Sequence, residues 1–435
     1  MTLFSNSLFN RFSMRPFLLI SCLLLVFSAA WLSHPPHVLA PFALADKEGV
    51  PTTDAPQFNS RFVSSHLNDF VHSSSVTALP GGDLMAVWFA GSREGAADVQ
   101  VRIARFDAKT TEWGPEQILV TRETTRDGTR RYIRKLGNPV IALGPDNRLW
   151  MFYVSVSVGG WATSAINVMV SQDMGANWSA PRQLVTSPFF NISTLVRAAP
   201  VFHADGSIGL PVYHEFMGKF AEYLYLSADG AVIDKFRISR GKHSLQPTIV
   251  AQDGQRAIAM LRYAGETHHR VLASRTQDAG QTWSEPYPLE PSNPNSSLSA
   301  IGTADDGLLV ALNDLEDGRF KLSLYGTDAQ LNQWRTLVEL DQSPDPLGQP
   351  FSPEAYKEII GEGFRASSGA RRLGLEQRFL SNLDYRVCKP RGCEFEYEYP
   401  YFSRSPDGMY HLVYSWNNTF IKHVSFNEAW LAERL

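Results

Sequence analysis

The sequence predicts an all-β fold: a six-bladed β-propeller with one long insertion before its last blade. Three observations carry that prediction. A turn rich in Asp, Asn and Gly followed by an apolar strand occurs six times. Most copies are spaced at about 50 residues, the length of a four-stranded blade. The composition, with 26 Phe, 15 Tyr, 10 Trp, 31 Gly and 26 Pro in 435 residues, suits short strands joined by tight turns.

The bulk chemistry narrows the class of partner. With 40 Lys+Arg against 44 Asp+Glu, the near-balance gives no electrostatic reason for a nucleic-acid or anionic-membrane partner. Hydrophobic residues at 44% and charged residues at 19% describe a packed core, not a disordered chain. Three cysteines exclude a disulfide framework and a four-thiolate zinc site.

From the amino terminus, Arg11 and Arg15 precede an apolar run from Pro16 to Leu32. A basic flank before such a run reads as a secretion signal or, left uncleaved, a membrane anchor over residues 17–32. Ala43-Leu44-Ala45 resembles a cleavage site, though it lies far from the run. Leu19-Ile20-Ser21-Cys22 resembles a lipidation box, but the apolar run continues past Cys22. Both readings of residues 1–32 place the bulk of the chain outside the cytoplasm, in the periplasm or beyond the cell. Cys388 and Cys393 are then expected to pair in that oxidising space. Residues 33–55, with Pro35, Pro36, Pro41 and Pro51, read as a linker, and 56–435 as the propeller.

The six turns are Pro80–Asp83, Pro145–Asn147, Ala204–Gly206, Gln252–Gly254, Asp305–Gly307 and Pro406–Gly408. Such turns between apolar runs signal hairpins, because a tight turn needs positive φ. The wide last gap holds the insertion, about 341–395, with a helix-like piece at 353–360 and Arg365, Arg371, Arg372 and Arg378. Insertions that long are more often functional than decorative. A second repeat interleaves: Ser171-Gln172-Asp173-Met174-Gly175-Ala176-Asn177-Trp178 and Thr276-Gln277-Asp278-Ala279-Gly280-Gln281-Thr282-Trp283 share Ser/Thr-x-Asp-x-Gly-x-x-Trp. Degenerate copies run from Asp107 to Trp113 and from Asp328 to Trp334. The Asp can accept turn N–H groups, the Gly takes positive φ and the Trp plugs the next layer.

This second repeat matches the Asp-box, and over about residues 60–435, insertion apart, the chain resembles the sialidase (neuraminidase) superfamily. The resemblance implies a glycosidase and maps its site onto particular residues. Arg93 and Asp98, after the strand Leu84–Phe89 read as the first inner strand, match an Arg and an acid/base Asp. Arg262 and Arg319, the latter following Asn313-Asp314, match two further Arg. Tyr399 falls at the nucleophile, with Tyr397 second. His72 stands where the first Arg belongs, and Gln246 where a Glu belongs. His214, Glu215 and Asn313 are the remaining expected substrate contacts, with Arg131 and Arg134 as weaker ones.

Arg forks bind a sugar carboxylate through planar paired hydrogen bonds. Beside that carboxylate a neutral phenol is a better nucleophile than a second anion, and sialidases are the Tyr-nucleophile exception among glycosidases. Asp98 would protonate the leaving oxygen and then activate water. Gln246 accepts no proton, so Glu398, Glu215 and Glu94 are the candidates to assist Tyr399. His268-His269 lack partners at metal-ligand spacing, and no phosphate loop or Ser-His-Asp signature appears. The expectation is an exported hydrolase of terminal acidic sugars on glycoconjugates, without metal or cofactor. The alternatives are a uronate-directed lyase or hydrolase and a non-catalytic carbohydrate-binding propeller.

Overall fold

In the computed structural model the described residues are 14–33, 37–44, 55–63 and 70–434, apart from 188–190, 192, 217, 242, 367–387 and 390. Arg371, Arg372 and Arg378 fall outside them. Residues Met1–Val38 form one unit and Leu39–Leu435 another. In the first, the helix Met14–Ser33 exposes Phe17, Leu19, Leu24 and Phe27. Among the described residues no helix is long and apolar enough to cross a membrane.

The second unit is a propeller of six sheets, each an antiparallel meander, the sixth completed by a strand from earlier in the chain. The innermost strands begin at Phe70, Lys135, Leu195, Ser244, Ser299 and Tyr397. Every predicted Asp/Asn/Gly turn joins an innermost strand to the second strand of its blade. Leu84–Gly91, which the sequence suggested was innermost, is therefore the second strand, and Phe70–Ala78 lines the axis. The misreading has a physical cause. Second strands are covered by blades on both faces, so Leu84–Gly91 is buried at every residue and reads as an unbroken apolar run. The outer strand Val232–Arg237 alternates between half-buried and exposed positions, as one covered face requires.

Both clear box repeats sit in the turn between third and fourth strands. Asp173 accepts the Asn177 N–H at 2.8 Å and Asp278 the Thr282 N–H at 2.8 Å. Gly175 and Gly280 have φ of 89° and 101°. The copy ending at Trp334 has one extra residue, and Leu331 takes the left-handed position at φ 65°. The Trp334 indole still donates to the Leu331 carbonyl at 3.0 Å, as Trp283 does to Gly280 at 2.9 Å.

Blade 6 is closed by the chain's own beginning, since Phe58–Phe62 pairs with Phe420–Phe426. Closing the ring in this way hides an edge that would otherwise be free to pair. The insertion braces the seam. Helix Pro353–Ala366 buries Tyr356, Ile360 and Phe364, spaced four apart on one face, and the Phe364 ring lies 5.9 Å from Phe62 and 5.2 Å from Phe420. Cys388 and Cys393 form the expected disulfide. Within the stretch read as linker, Leu39 and Phe42 are buried, and Phe42 N–H bonds the Gly254 carbonyl at 2.8 Å.

At the seam between blades 6 and 1, two buried histidines form a chain. Ser405 Oγ lies 2.9 Å from His411, His411 lies 3.1 Å from His423, and the Trp113 indole donates to His423 at 3.2 Å. Burial pushes His411 down to about 4, and burial, His411 and Arg61 push His423 well below its usual range. Both stay neutral in the fold while the unfolded chain protonates near pH 6.5. Their contribution is therefore complete above about pH 6.5 and declines as pH falls towards 4. Urea unfolding at pH 7.5 and 5 should show this loss, and His423→Gln should flatten the slope between them.

Candidate active site

The axial ends of four innermost strands share one local device. Pairing with the second strand slips between His72 and Ser75, Gly137 and Val140, Leu245 and Thr248, and Glu398 and Tyr401. Within each slip one non-glycine residue has positive φ: Ser73 at 54°, Asn138 at 46°, Gln246 at 48° and Tyr399 at 55°. Pro139, Pro247 and Pro400 follow three of them, lacking an N–H that the ladder would need. Such bulges re-aim side chains, and strained backbone of this kind concentrates at functional sites.

The re-aimed residues join one contact chain through all six blades. Ser73 Oγ donates to Asn138 at 3.3 Å, and the Asn138 amide donates to the Tyr213 hydroxyl at 3.1 Å. The Gln246 amide donates to the same hydroxyl at 3.3 Å and accepts from Arg262 Nη1 at 3.3 Å. Arg262 Nε donates to Asn295 Oδ1 at 2.6 Å, and Arg319 Nη2 to the Asn295 carbonyl at 3.1 Å. Arg319 Nη1 also binds the Glu398 carboxylate, which lies 3.7 Å from His72 Nδ1. The His72 ring meets Tyr399 edge-on with centroids 4.4 Å apart. Finally, Arg197 donates to the Tyr399 carbonyl at 2.5 Å and stands 4.9 Å from its ring centroid.

Charge is held by position. Burial raises Glu398, but His72, Arg319 and Arg262 outweigh it and keep the carboxyl below its ordinary range. Burial pushes the Tyr213 phenol well up, which suits a hydrogen-bonding hub and not a nucleophile. Tyr399 is half-buried.

The BNR repeat-like domain profile matches residues 82–412, well over half of the chain. The chain belongs to the BNR repeat-like family. Among solved structures, this BNR-repeat propeller superposes on a protein of unknown function from Dyadobacter fermentans with a TM-score of 0.61 at 10% identity, covering 85% of this chain and 98% of that one. An intramolecular trans-sialidase from Ruminococcus gnavus, in complex with oseltamivir carboxylate, gives 0.58 at 13% identity over 86% and 97% of the two chains. The NanB sialidase of Streptococcus pneumoniae gives 0.59 at 9% identity over 89% and 73%. Likeness at these identities speaks to the fold, the sialidase-type propeller. No curated protein matches the sequence.

The BNR-repeat propeller thus gathers His72, Gln246, Arg262, Arg319 and Tyr399 of the residues singled out from sequence. Glu215 stands at the rim, half-buried, its carboxyl raised by burial despite Arg262, Lys219 and Lys135. Lys135 feels Glu94, Arg134, Glu215 and Arg93 together, which places the loop 92–98 at this same end. In that loop Arg93 and Asp98 are exposed, and Asp98 accepts the Ser92 N–H and Oγ at 3.0 Å each.

Other side chains are engaged elsewhere. His214, next to Tyr213 on one strand, projects from the opposite face and binds Glu222 at 2.7 Å, which also pairs with Arg237 at 3.2 Å. Asn313 is fully buried, and its amide donates to the Lys321 and Tyr397 carbonyls at 2.6 and 2.9 Å. It fixes the backbone that carries Arg319 and Glu398. Arg131 is exposed, and Arg134 donates to the Gly159 carbonyl at 3.1 Å. Among the described residues no group of three His, Cys, Asp or Glu is placed to hold a metal.

Sequence reasoning missed Arg197, Tyr213, Asn138 and Asn295. A signal existed for part of this set. Asn138-Pro139, Gln246-Pro247 and Tyr399-Pro400 are three copies of a polar residue before Pro inside an otherwise strand-like run. Arg197 follows Leu195-Val196 with nothing in the local pattern to mark it.

Proposed function

We propose that this propeller is an exported glycoside hydrolase that removes a terminal acidic sugar, sialic acid or a close analogue, with retention through a Tyr399-linked intermediate. The observation that carries the reading is the pairing of Arg262 and Arg319. They come from blades 4 and 5, are tied together through Asn295, and stand beside a half-buried phenol at a strained bulge. Two of the five N–H groups of Arg262 are used by Asn295 and Gln246, so the fork is oriented with donors in reserve for a carboxylate. Glu398 and His72 stand in for the missing first Arg by fixing the geometry of Arg319. The apolar N-terminal segment supplies export, by cleavage or as an anchor.

In this reading Tyr399 attacks the anomeric carbon while a rim carboxyl protonates the leaving oxygen. Asp98 holds that role by resemblance. Glu215 competes for it because burial raises its carboxyl, as a general acid near neutral pH requires. Full-length protein incubated with a fluorogenic sialoside should release the fluorophore. Asp98→Asn and Glu215→Gln then separate the two carboxyls: the true proton donor loses about 100-fold or more on a poor leaving group and far less on the activated sialoside. Binding of acidic sugars without turnover would replace the hydrolase by a carbohydrate-binding propeller, and unsaturated products from uronate polysaccharides would replace it by a lyase.

A further inference from the structure

A tyrosine nucleophile needs help to shed its proton, since an ordinary phenol titrates near pH 10. The amide at position 246 cannot take that proton, and both ends of it are bound to Tyr213 and Arg262. Arg197 offers a different kind of help. It is 3% exposed, and Nη2 donates to the carbonyls of Tyr399 and Pro400 at 2.5 and 3.2 Å. Nε and Nη1 are buried without a hydrogen-bond partner. Among the described residues, the charged or ionisable groups acting on it are Tyr399, Tyr401 and Tyr213, all phenols. Burial pulls the guanidinium down to about 10, so it remains charged at neutral pH. A buried cation faced by phenols and no carboxylate is costly unless one phenol becomes its anion. Tyr401 and Tyr213 are fully buried, and burial holds both phenols well above their ordinary range. Tyr399 alone of the three is half-buried.

We propose that Arg197 is a positioning residue that activates Tyr399, its fixed positive charge stabilising the phenolate that attacks the sugar. The proposal rests on the reading of Tyr399 as the nucleophile. In the step, the phenolic O–H breaks and its proton passes to solvent water. The Tyr399 oxygen forms a bond to the anomeric carbon, the glycosidic C–O bond breaks, and the leaving oxygen takes a proton from the rim carboxyl. Arg197 stays protonated throughout. Around Tyr399 the other charged or titratable groups are His72 against its ring, Arg319, and Tyr213, with Glu398 beyond His72 and Arg319.

The test uses the full chain, with Arg197→Met removing the charge and Arg197→Lys keeping it. Tyr399 ionisation is read as the ultraviolet difference between each protein and its Tyr399→Phe counterpart over pH. Arg197→Met should move that titration up by at least about one unit and slow sialoside turnover by about 100-fold with little change in KM. Arg197→Lys should recover most of both. A titration unmoved by Arg197→Met overturns the proposal, as does a rate loss that Lys fails to recover while the titration stays put. If wild-type protein hydrolyses no acidic glycoside, the functional reading fails, yet the titration still decides whether Arg197 controls this phenol. Should Arg197→Met not fold, nitration of wild-type protein near neutral pH decides instead. Tyr399 should react faster than Tyr132, which is 65% exposed, and a slower Tyr399 overturns the proposal.

Discussion

Tyr399→Phe should reduce turnover of an acidic glycoside by at least about a thousandfold while leaving the propeller folded and KM within a few-fold of wild type. The separation follows from what the residue does in each capacity. Its ring supports the site by meeting His72 edge-on and by facing Arg197, and its backbone carbonyl accepts from Arg197. Phenylalanine keeps all three contacts, so the bulge and its neighbours survive. Only the hydroxyl disappears, and with it the atom that would bond to the sugar. Binding stays with Arg262 and Arg319, which do not depend on that oxygen. The control is Tyr213→Phe. Tyr213 is the acceptor for both Asn138 and Gln246, so removing its hydroxyl strands two buried donors at about 1–3 kcal/mol. That variant should lose stability and disturb Arg262 through Gln246, raising KM. If Tyr399→Phe instead unfolds the protein with activity per folded molecule unchanged, Tyr399 is a packing residue and the nucleophile lies elsewhere.

The fold was legible because its determinants are local. Each hairpin turn announces itself through Asp beside Gly or Asn within four residues, and the box repeat carries its own hydrogen-bond logic in eight. Order within a blade was less legible. Apolar runs report burial on two faces, and in a propeller the second strand satisfies that better than the axial strand, which carries polar groups such as Ser73, Gln246 and Glu398. The site was legible where a residue type is unusual for its surroundings. Arg262 lies near the end of the second strand of blade 4 and Arg319 follows that of blade 5, and both are drawn to the axis, as their spacing suggested. Arg93 likewise follows a second strand, yet it stays at the rim, exposed in the loop 92–98. Arg197 was invisible for the opposite reason. Its meaning comes from Tyr399 and Tyr401, some two hundred residues later in the chain, and no local pattern encodes a partner that the ring closure delivers. Glu398 was weighed as a proton acceptor for Tyr399, and the structure engages it with Arg319 and His72 instead.

Glu398 therefore carries the second large effect. Its carboxylate is buried and holds together Arg319 from blade 5 and His72 from blade 1, so it joins three blades at the axis. Removing one partner of a buried pair leaves the other charge uncompensated, at about 3–5 kcal/mol, and Glu398→Ala should lower the unfolding free energy by roughly that amount. Glu398→Gln keeps an acceptor for Arg319 and should cost distinctly less. The pH dependence has a definite sign. Because the folded carboxyl lies below its ordinary range, its contribution is present above about pH 4.3 and is lost as pH falls through the depressed folded value. Wild type should thus shed stability in that acid window, below the one assigned to His411 and His423, and Glu398→Gln should lack this acid step while keeping the histidine step. Function gives an independent reading. With Glu398→Gln the Arg319 fork is released from its charged anchor, so KM for an acidic glycoside should rise by about tenfold, with a smaller change in kcat. A variant that loses stability without any change in KM would make the Arg319–Glu398 pair a strut of the axis, and would leave Arg262 as the carboxylate-binding guanidinium.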